Sequence, residues 1–215
     1  MKMIQGIKVY GNLQEVLDPS HTCLVVWDVQ KGLFSRIFNP EELAKNLKGL
    51  VTKLRSKVPI VYTLITPPDK QVRSSWTYYS MMKRFGVDDP NKLPDFMGKG
   101  NPDREVIPDV QPQEKDIVIE KPTASIFIGT YFEFMMKNRG IETIIFTGIA
   151  TEIGVESSAR DAANRGFYPV IAADCVSSMD KEAHERSLEN MKKMFICEKS
   201  EKIIEAVLHP AAVSG

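Results

Sequence analysis

Three places in this chain carry residue types suited to chemistry, and each follows an apolar run. Asp28 closes the run at residues 23–27. Lys121, followed by Pro122, closes the segment 116–120, which is apolar at 117–119. The run at 143–146 passes into Thr147-Gly148-Ile149-Ala150-Thr151-Glu152-Ile153-Gly154, a glycine-bounded turn ahead of a helical pattern. A carboxyl and an ammonium group form a proton-transfer pair. A helix start offers unpaired backbone N–H groups and a positive dipole end, which hold developing negative charge. Taken singly each signal is weak, because an Asp or Lys at a strand end is ordinarily solvated. Brought to one edge, they form an acid–base pair beside an anion cradle.

The intervening elements explain how they converge. The segments at 23–27, 59–65, 116–120, 143–146, 169–173 and 194–197 read as strands. The continuous rather than alternating apolarity of 23–27 predicts a strand covered on both faces. Between them fall helical patterns. Asn39 and Pro40 open one, with Leu43, Leu47, Leu50 and Leu54 as its buried stripe; another follows Gly129, with Phe132, Met135 and Met136 inward, and stops at Gly140. Val155, Ala159, Ala162 and Ala163 mark a third that Gly166 stops, and Asp180 and Ser200 can cap the last two. Residues 70–116 are long and proline-interrupted, helical around 76–85, where Trp76, Tyr78, Tyr79 and Phe85 favour an ordered lid or interface over disorder. The alternation predicts an α/β fold: an open, mostly parallel six-stranded sheet with helices on both faces. In such sheets ligands bind outside the carboxyl ends of the strands, where Asp28, Lys121 and the glycine turn all lie. The chain reads as a single domain over 1–215, with a core at about 22–205, an N-terminal arm at 1–20 and a loose tail at 210–215.

Composition narrows the function classes. The 215 residues carry 28 basic and 28 acidic side chains, a balance that points to neither nucleic acid nor an anionic membrane. No apolar run spans a bilayer, and the N-terminus lacks a signal-peptide pattern. The 3 cysteines, Cys23, Cys175 and Cys197, are widely spaced. They form neither a disulfide framework nor a metal motif, which suits a reducing cytoplasm, and each reads as a buried small hydrophobe. His21, His184 and His209 follow no ligand spacing; His184 and His209 read as surface histidines, and no metal or other cofactor is expected.

Asp28-Val29-Gln30 is the first of three motifs in register. The second is Glu120-Lys121-Pro122, with Ser125 and Phe127-Ile128-Gly129-Thr130 behind it. The third is Thr147-Gly148-Ile149-Ala150-Thr151, running into Glu156-Ser157-Ser158-Ala159-Arg160-Asp161-Ala162. Together these resemble the isochorismatase-like hydrolase superfamily, also called the cysteine hydrolases. The resemblance implies a Rossmann-like, three-layer fold and an Asp–Lys–Cys triad. Asp28 matches the base and Lys121 the supporting cation. A non-proline cis peptide and an oxyanion hole are implied at the turn of Ala150 and Thr151. It also implies a dimer or tetramer. The nucleophile position is Gly154, as in true isochorismatases, and the metal-binding histidines of the nicotinamidase branch are missing between residues 62 and 85.

Three functions remain open on the residues. The first is non-covalent hydrolysis of a small molecule, a vinyl ether such as isochorismate, with Asp28 as general acid and Lys121 orienting. Leu33, Phe34 and Trp76 are then candidate pocket walls, Gln71 and Arg73 candidate polar binders, and Gly154 leaves room for substrate. The second is a binding or scaffold protein that lost its nucleophile. The third is an amidohydrolase using Thr151, Ser157 or water, although a serine in a first helical turn ordinarily bonds to local backbone. Glu152 either selects against anionic substrates or points to solvent. A cysteine introduced at 154 is expected to alkylate fast, supported by Asp28 and Lys121.

Overall fold

The computed structural model describes residues 2–98 and 100–211. A hairpin of β1 (Lys2–Ile4) and β2 (Ile7–Val9) opens the chain, followed by the short helix α1 (Leu13–Val16). The main sheet is built from β3 (Thr22–Trp27), β4 (Ile60–Ile65), β5 (Ile117–Lys121), β6 (Thr143–Ile149), β7 (Tyr168–Ser177) and β8 (Ile196–Glu198). Its order is β5-β4-β3-β6-β7-β8 and every pairing in it is parallel. Helices α2 (Lys31–Phe34), α3 (Pro40–Leu54), α4 (Ser75–Phe85), α5 (Phe132–Asn138), α6 (Glu156–Asn164), α7 (Lys181–Met194) and α8 (Ser200–Leu208) complete it.

β3 shows why the sheet is central. All of its residues are buried, and its side chains divide between the faces as a strand requires. Leu24 and Val26 join Leu43, Leu47 and Leu50 of α3 and Ile203 of α8 on one face. Cys23, Val25 and Trp27 join Phe132 of α5, Ala159 of α6 and Met191 of α7 on the other. The chain runs outward from β3 through β4 to β5, then returns to place β6 on the far side of β3. Connections leave the ends of β3 and β6 in opposite senses, which opens a crevice there. Asp28 follows one of these strands and Ala150 the other.

The expected strands and helices form, with local differences. β7 runs beyond 169–173, so Asp174 and Cys175 lie within it. Ser200 is the first residue of α8 and not its cap. Its N–H (2.7 Å) and hydroxyl (2.8 Å) both donate to the Asp174 carboxylate, which satisfies the helix start from across the sheet. Asn39 stands before α3 without capping it; its side-chain oxygen instead accepts the Ser177 hydroxyl. The expected arm holds the β1–β2 hairpin. Of the expected loose tail, Pro210 and Ala211 have no regular structure, and 212–215 lie outside the described residues. Among the described residues no helix is long and apolar enough to cross a membrane.

Candidate active site

At the end of β3 the backbone turns sharply. Asp28 has φ of 43°, a left-handed conformation that few non-glycine residues adopt but Asp tolerates. The Thr63 hydroxyl donates to its Oδ1 at 2.5 Å, and the Lys121 ammonium to its Oδ2 at 2.7 Å. Asp28 is 4% and Lys121 1% exposed. Burial pushes the Asp28 carboxyl above the usual carboxylate range, opposed by Lys121 and then by the Thr63 bond. Burial likewise lowers the Lys121 ammonium, opposed by Asp28. The two shifts agree: a dry site favours the pair with fewer charges. Lys121 also lies over the Trp27 ring, 4.0 Å from its centroid, and donates to Thr123 O at 3.1 Å.

Opposite stands the end of β6. Gly148 has φ of 102° and pairs with Trp27 in the sheet; a Cβ there would fall 2.8 Å from the Trp27 backbone nitrogen, so only glycine allows this approach. The Ile149–Ala150 peptide is cis. Residues Thr151–Val155 form a π-helical turn into α6. The N–H groups of Ile153, Gly154 and Val155 all donate to the Ala150 carbonyl, at 3.3, 3.0 and 3.2 Å. Those groups, expected to be unpaired, are therefore committed, and the cradle narrows to the first residues of the turn. The Thr151 hydroxyl donates to Ser177 O at 3.1 Å and lies 2.8 Å from His184 Nδ1 on α7. With that proton used, Nδ1–H of His184 is the donor to Thr151.

Gly154 is closed off by Trp27. A Cβ built on it would overlap the indole nitrogen and lie 2.8 Å from Cζ2. Trp27, Asp28, Lys121, Ala150 and Gly154 share a cavity of about 130 Å³, walled by Leu33, Ile65, Phe96 and Met179, with Arg84 of α4 among its lining residues. Among the described residues Arg84 makes no ion pair.

The wider likeness of the chain fits this geometry. Residues 22–197 match the isochorismatase domain model. The chain belongs to the isochorismatase family. Among curated relatives it is 29% identical to the ureidoacrylate amidohydrolase RutB of Acinetobacter baylyi, over 83% of this chain and 80% of that protein. It is 30% identical to the uncharacterized isochorismatase family protein YecD of Escherichia coli O157:H7, covering 81% and 89%. The fold matches a cysteine hydrolase from Pseudomonas syringae pv. phaseolicola with TM-score 0.76 and 20% identity, over 88% of this chain and 93% of that one.

In this isochorismatase-family chain the structure gathers Asp28, Lys121, Gly154, Ala150 and Leu33 around one cavity. It puts the other expected pocket residues elsewhere. Phe34 packs against the α3-side core. Gln71 is exposed and Trp76 is 70% exposed, stacked on Tyr79. Arg73 lines a separate hollow with Lys70 and Tyr78 and donates to Pro68 O at 2.8 Å. Of α4, Arg84 near its end reaches the cavity and Trp76 near its start does not. Gly154 leaves no open space, because the indole fills it. Glu152 neither lines the cavity nor points to solvent: Oε1 accepts the Ser178 hydroxyl at 2.7 Å, and Oε2 is buried without a hydrogen-bond partner among the described residues. His184, expected at the surface, is 8% exposed. Ser157 bonds to Ile153 O at 2.5 Å, as a first-turn serine should. Cys23 and Cys175 are buried and Cys197 is half-buried. Among the described residues no group of His, Cys, Asp and Glu is placed to hold a metal ion.

Trp27, Thr63 and Arg84 are the site residues that residue-by-residue reading missed. Trp27 adjoins Asp28 and reads as one more apolar strand residue. Thr63 sits inside a strand. Arg84 belongs to the segment already marked helical, but nothing local says which of its faces meets the site.

Proposed function

We propose that this chain hydrolyses a small, carboxylate-bearing molecule without a covalent enzyme intermediate, a vinyl ether such as isochorismate being the model substrate. Gly154 stands at the nucleophile position, and Asp28 is the general acid. The observation that carries this reading is the Trp27 indole against Gly154: the site has no thiol and no space for one, while the acid–base pair beside it is complete.

The chemistry follows from the pair. Protonated Asp28 gives its proton to the terminal enol carbon, leaving an oxocarbenium ion. Water adds to that ion and returns a proton to the Asp28 carboxylate, which Lys121 and Thr63 hold. The hemiketal then collapses to ketone and alcohol; one water is consumed and Asp28 ends as it began. An acid that works near neutral pH needs a raised pKa, which burial supplies. Arg84 supplies a permanent cation for the carboxylate.

The cavity, about 130 Å³ against the roughly 300–1,000 Å³ of most ligand pockets, favours the smallest enol ethers as substrates; the competing reading is a ligand binder without turnover. Amide hydrolysis through Thr151 or Ser157 is opposed by the committed hydroxyls of both. The deciding assay sets purified protein against isochorismate, smaller enol ethers, ureidoacrylate and simple amides, with Asp28→Asn as control. Enol-ether turnover lost in Asp28→Asn supports the hydrolase. Binding without turnover, unchanged in Asp28→Asn, replaces it with the binder.

A further inference from the structure

Trp27 is 1% exposed, yet its indole N–H has no hydrogen-bond partner among the described residues. A buried indole N–H ordinarily finds one. Among the described residues, the buried side-chain atoms sealed without a partner are His21 Nε2 and Glu152 Oε2. The Trp27 nitrogen is not one of them, so it opens on the cavity it lines. It occupies the space a Cβ on residue 154 would take. The ring has little freedom to turn away. The Gly148 strand packs on its backbone, and Lys121, anchored to Asp28, lies over its face.

We infer that the Trp27 indole N–H is a substrate-binding donor that selects ligands with an acceptor oxygen at the reacting centre, an inference that rests on the acid-assisted reading above. The indole puts a neutral donor where a side chain on residue 154 would begin. The indole ring and the Asp28 carboxyl both meet the Lys121 ammonium, and Trp27 and Asp28 line the same cavity. A ligand with an ether or carbonyl oxygen there pairs the N–H. A ligand with a methylene in its place leaves that N–H unpaired on binding, a loss rather than a neutral change.

The test uses a matched pair of probes, 2-methoxyacrylate and 2-ethylacrylate, which differ by oxygen against methylene. With only 2 tryptophans in the chain, the indole ¹⁵N–¹H resonances separate cleanly, and the exposed Trp76 is the internal control. Both probes are titrated into the full chain carrying Asp28→Asn, which prevents turnover, and into the unaltered chain. Expected is a downfield shift of the Trp27 indole proton with 2-methoxyacrylate alone, and about five- to tenfold tighter binding of that probe, the worth of one hydrogen bond. Trp27→Phe keeps a ring and removes the donor; the preference then falls to about onefold. Equal affinities in the Asp28→Asn chain, a Trp27 resonance unmoved by bound 2-methoxyacrylate, or binding of neither probe overturns the inference. The resonance shift needs no variant to fold. It also separates the two ideas: a shift without turnover keeps the donor and removes the hydrolase.

Discussion

The indole nitrogen of Trp27 stands where the Cβ of any larger residue at position 154 would be. Strand β3 and the turn before α6 are thereby matched as a pair, tryptophan with glycine. Gly154→Ala should destabilise the fold by about 1–3 kcal/mol, the usual cost of overpacking, and Trp27→Val in the same chain should recover part of it. The expectation that Gly154→Cys alone yields a reactive thiol therefore gives way to the double variant Trp27→Val/Gly154→Cys. Denaturant titration and iodoacetamide labelling check both; a Gly154→Ala protein as stable as its parent refutes the overlap.

The pH profile follows from Asp28. Its carboxyl is raised by burial, and in the proposed reaction the protonated form is the active one. Activity is therefore full at low pH within the folded range and falls as pH rises through the raised value. Lys121→Met removes the charge that opposes this shift, so the falling limb should move to higher pH even as the maximal rate drops. A limb that moves to lower pH in Lys121→Met contradicts the assignment of Asp28 as the acid.

Asp28 and Lys121 should be coupled in stability as well. Removing one partner leaves the other buried and unpaired at a cost of about 3–5 kcal/mol, whereas removing both can be nearly neutral. Asp28→Asn/Lys121→Met should accordingly be more stable than the sum of the single changes implies, measured as a double-mutant cycle. Simple additivity argues against a functional ion pair at 2.7 Å.

Arg84→Gln should raise KM for a carboxylate substrate about tenfold or more while changing kcat less, since a charge-assisted bond to a non-reacting group contributes about 1.5–3 kcal/mol of binding. Arg73→Gln, in the neighbouring hollow, should leave both constants within about twofold.

The native cysteines should take no part. Burial pushes Cys23 and Cys175 far up, and Cys197 to about 11. Thiolate is the reactive form, so incubation with iodoacetamide at neutral pH should leave activity intact. Inactivation that tracks labelling of Cys175 would reopen the covalent route.

Much of the architecture was legible in the residues. Each strand of the main sheet contains a short apolar stretch, and Asp28 and Lys121 show as charged residues closing two of them, because the course of a strand and its end are written in neighbouring side chains. Asp180 capping α7 through the Ala183 N–H at 2.9 Å is equally local. The same reading failed wherever the answer depended on residues distant in the chain. Ser200 and Asn39 look like caps, but Asp174 satisfies the start of α8 and Asn39 is drawn to Ser177. His184 looks like a surface residue until Thr151 is placed against it.

Local pattern by itself determined the strands of the main sheet and the longer helices beside it, and with them that a carboxyl, an ammonium and a glycine turn end at one edge of the sheet. Tertiary structure alone decided what that edge contains. It turned Arg84, and not Gln71, Arg73 or Trp76, toward the cavity, and it laid the Trp27 ring into the space beside Gly154. The physical reason is range: strand and helix preferences are set by residues a few places apart. The facing of a helix and the filling of a cavity are set by close packing between elements that meet only when the sheet closes around them.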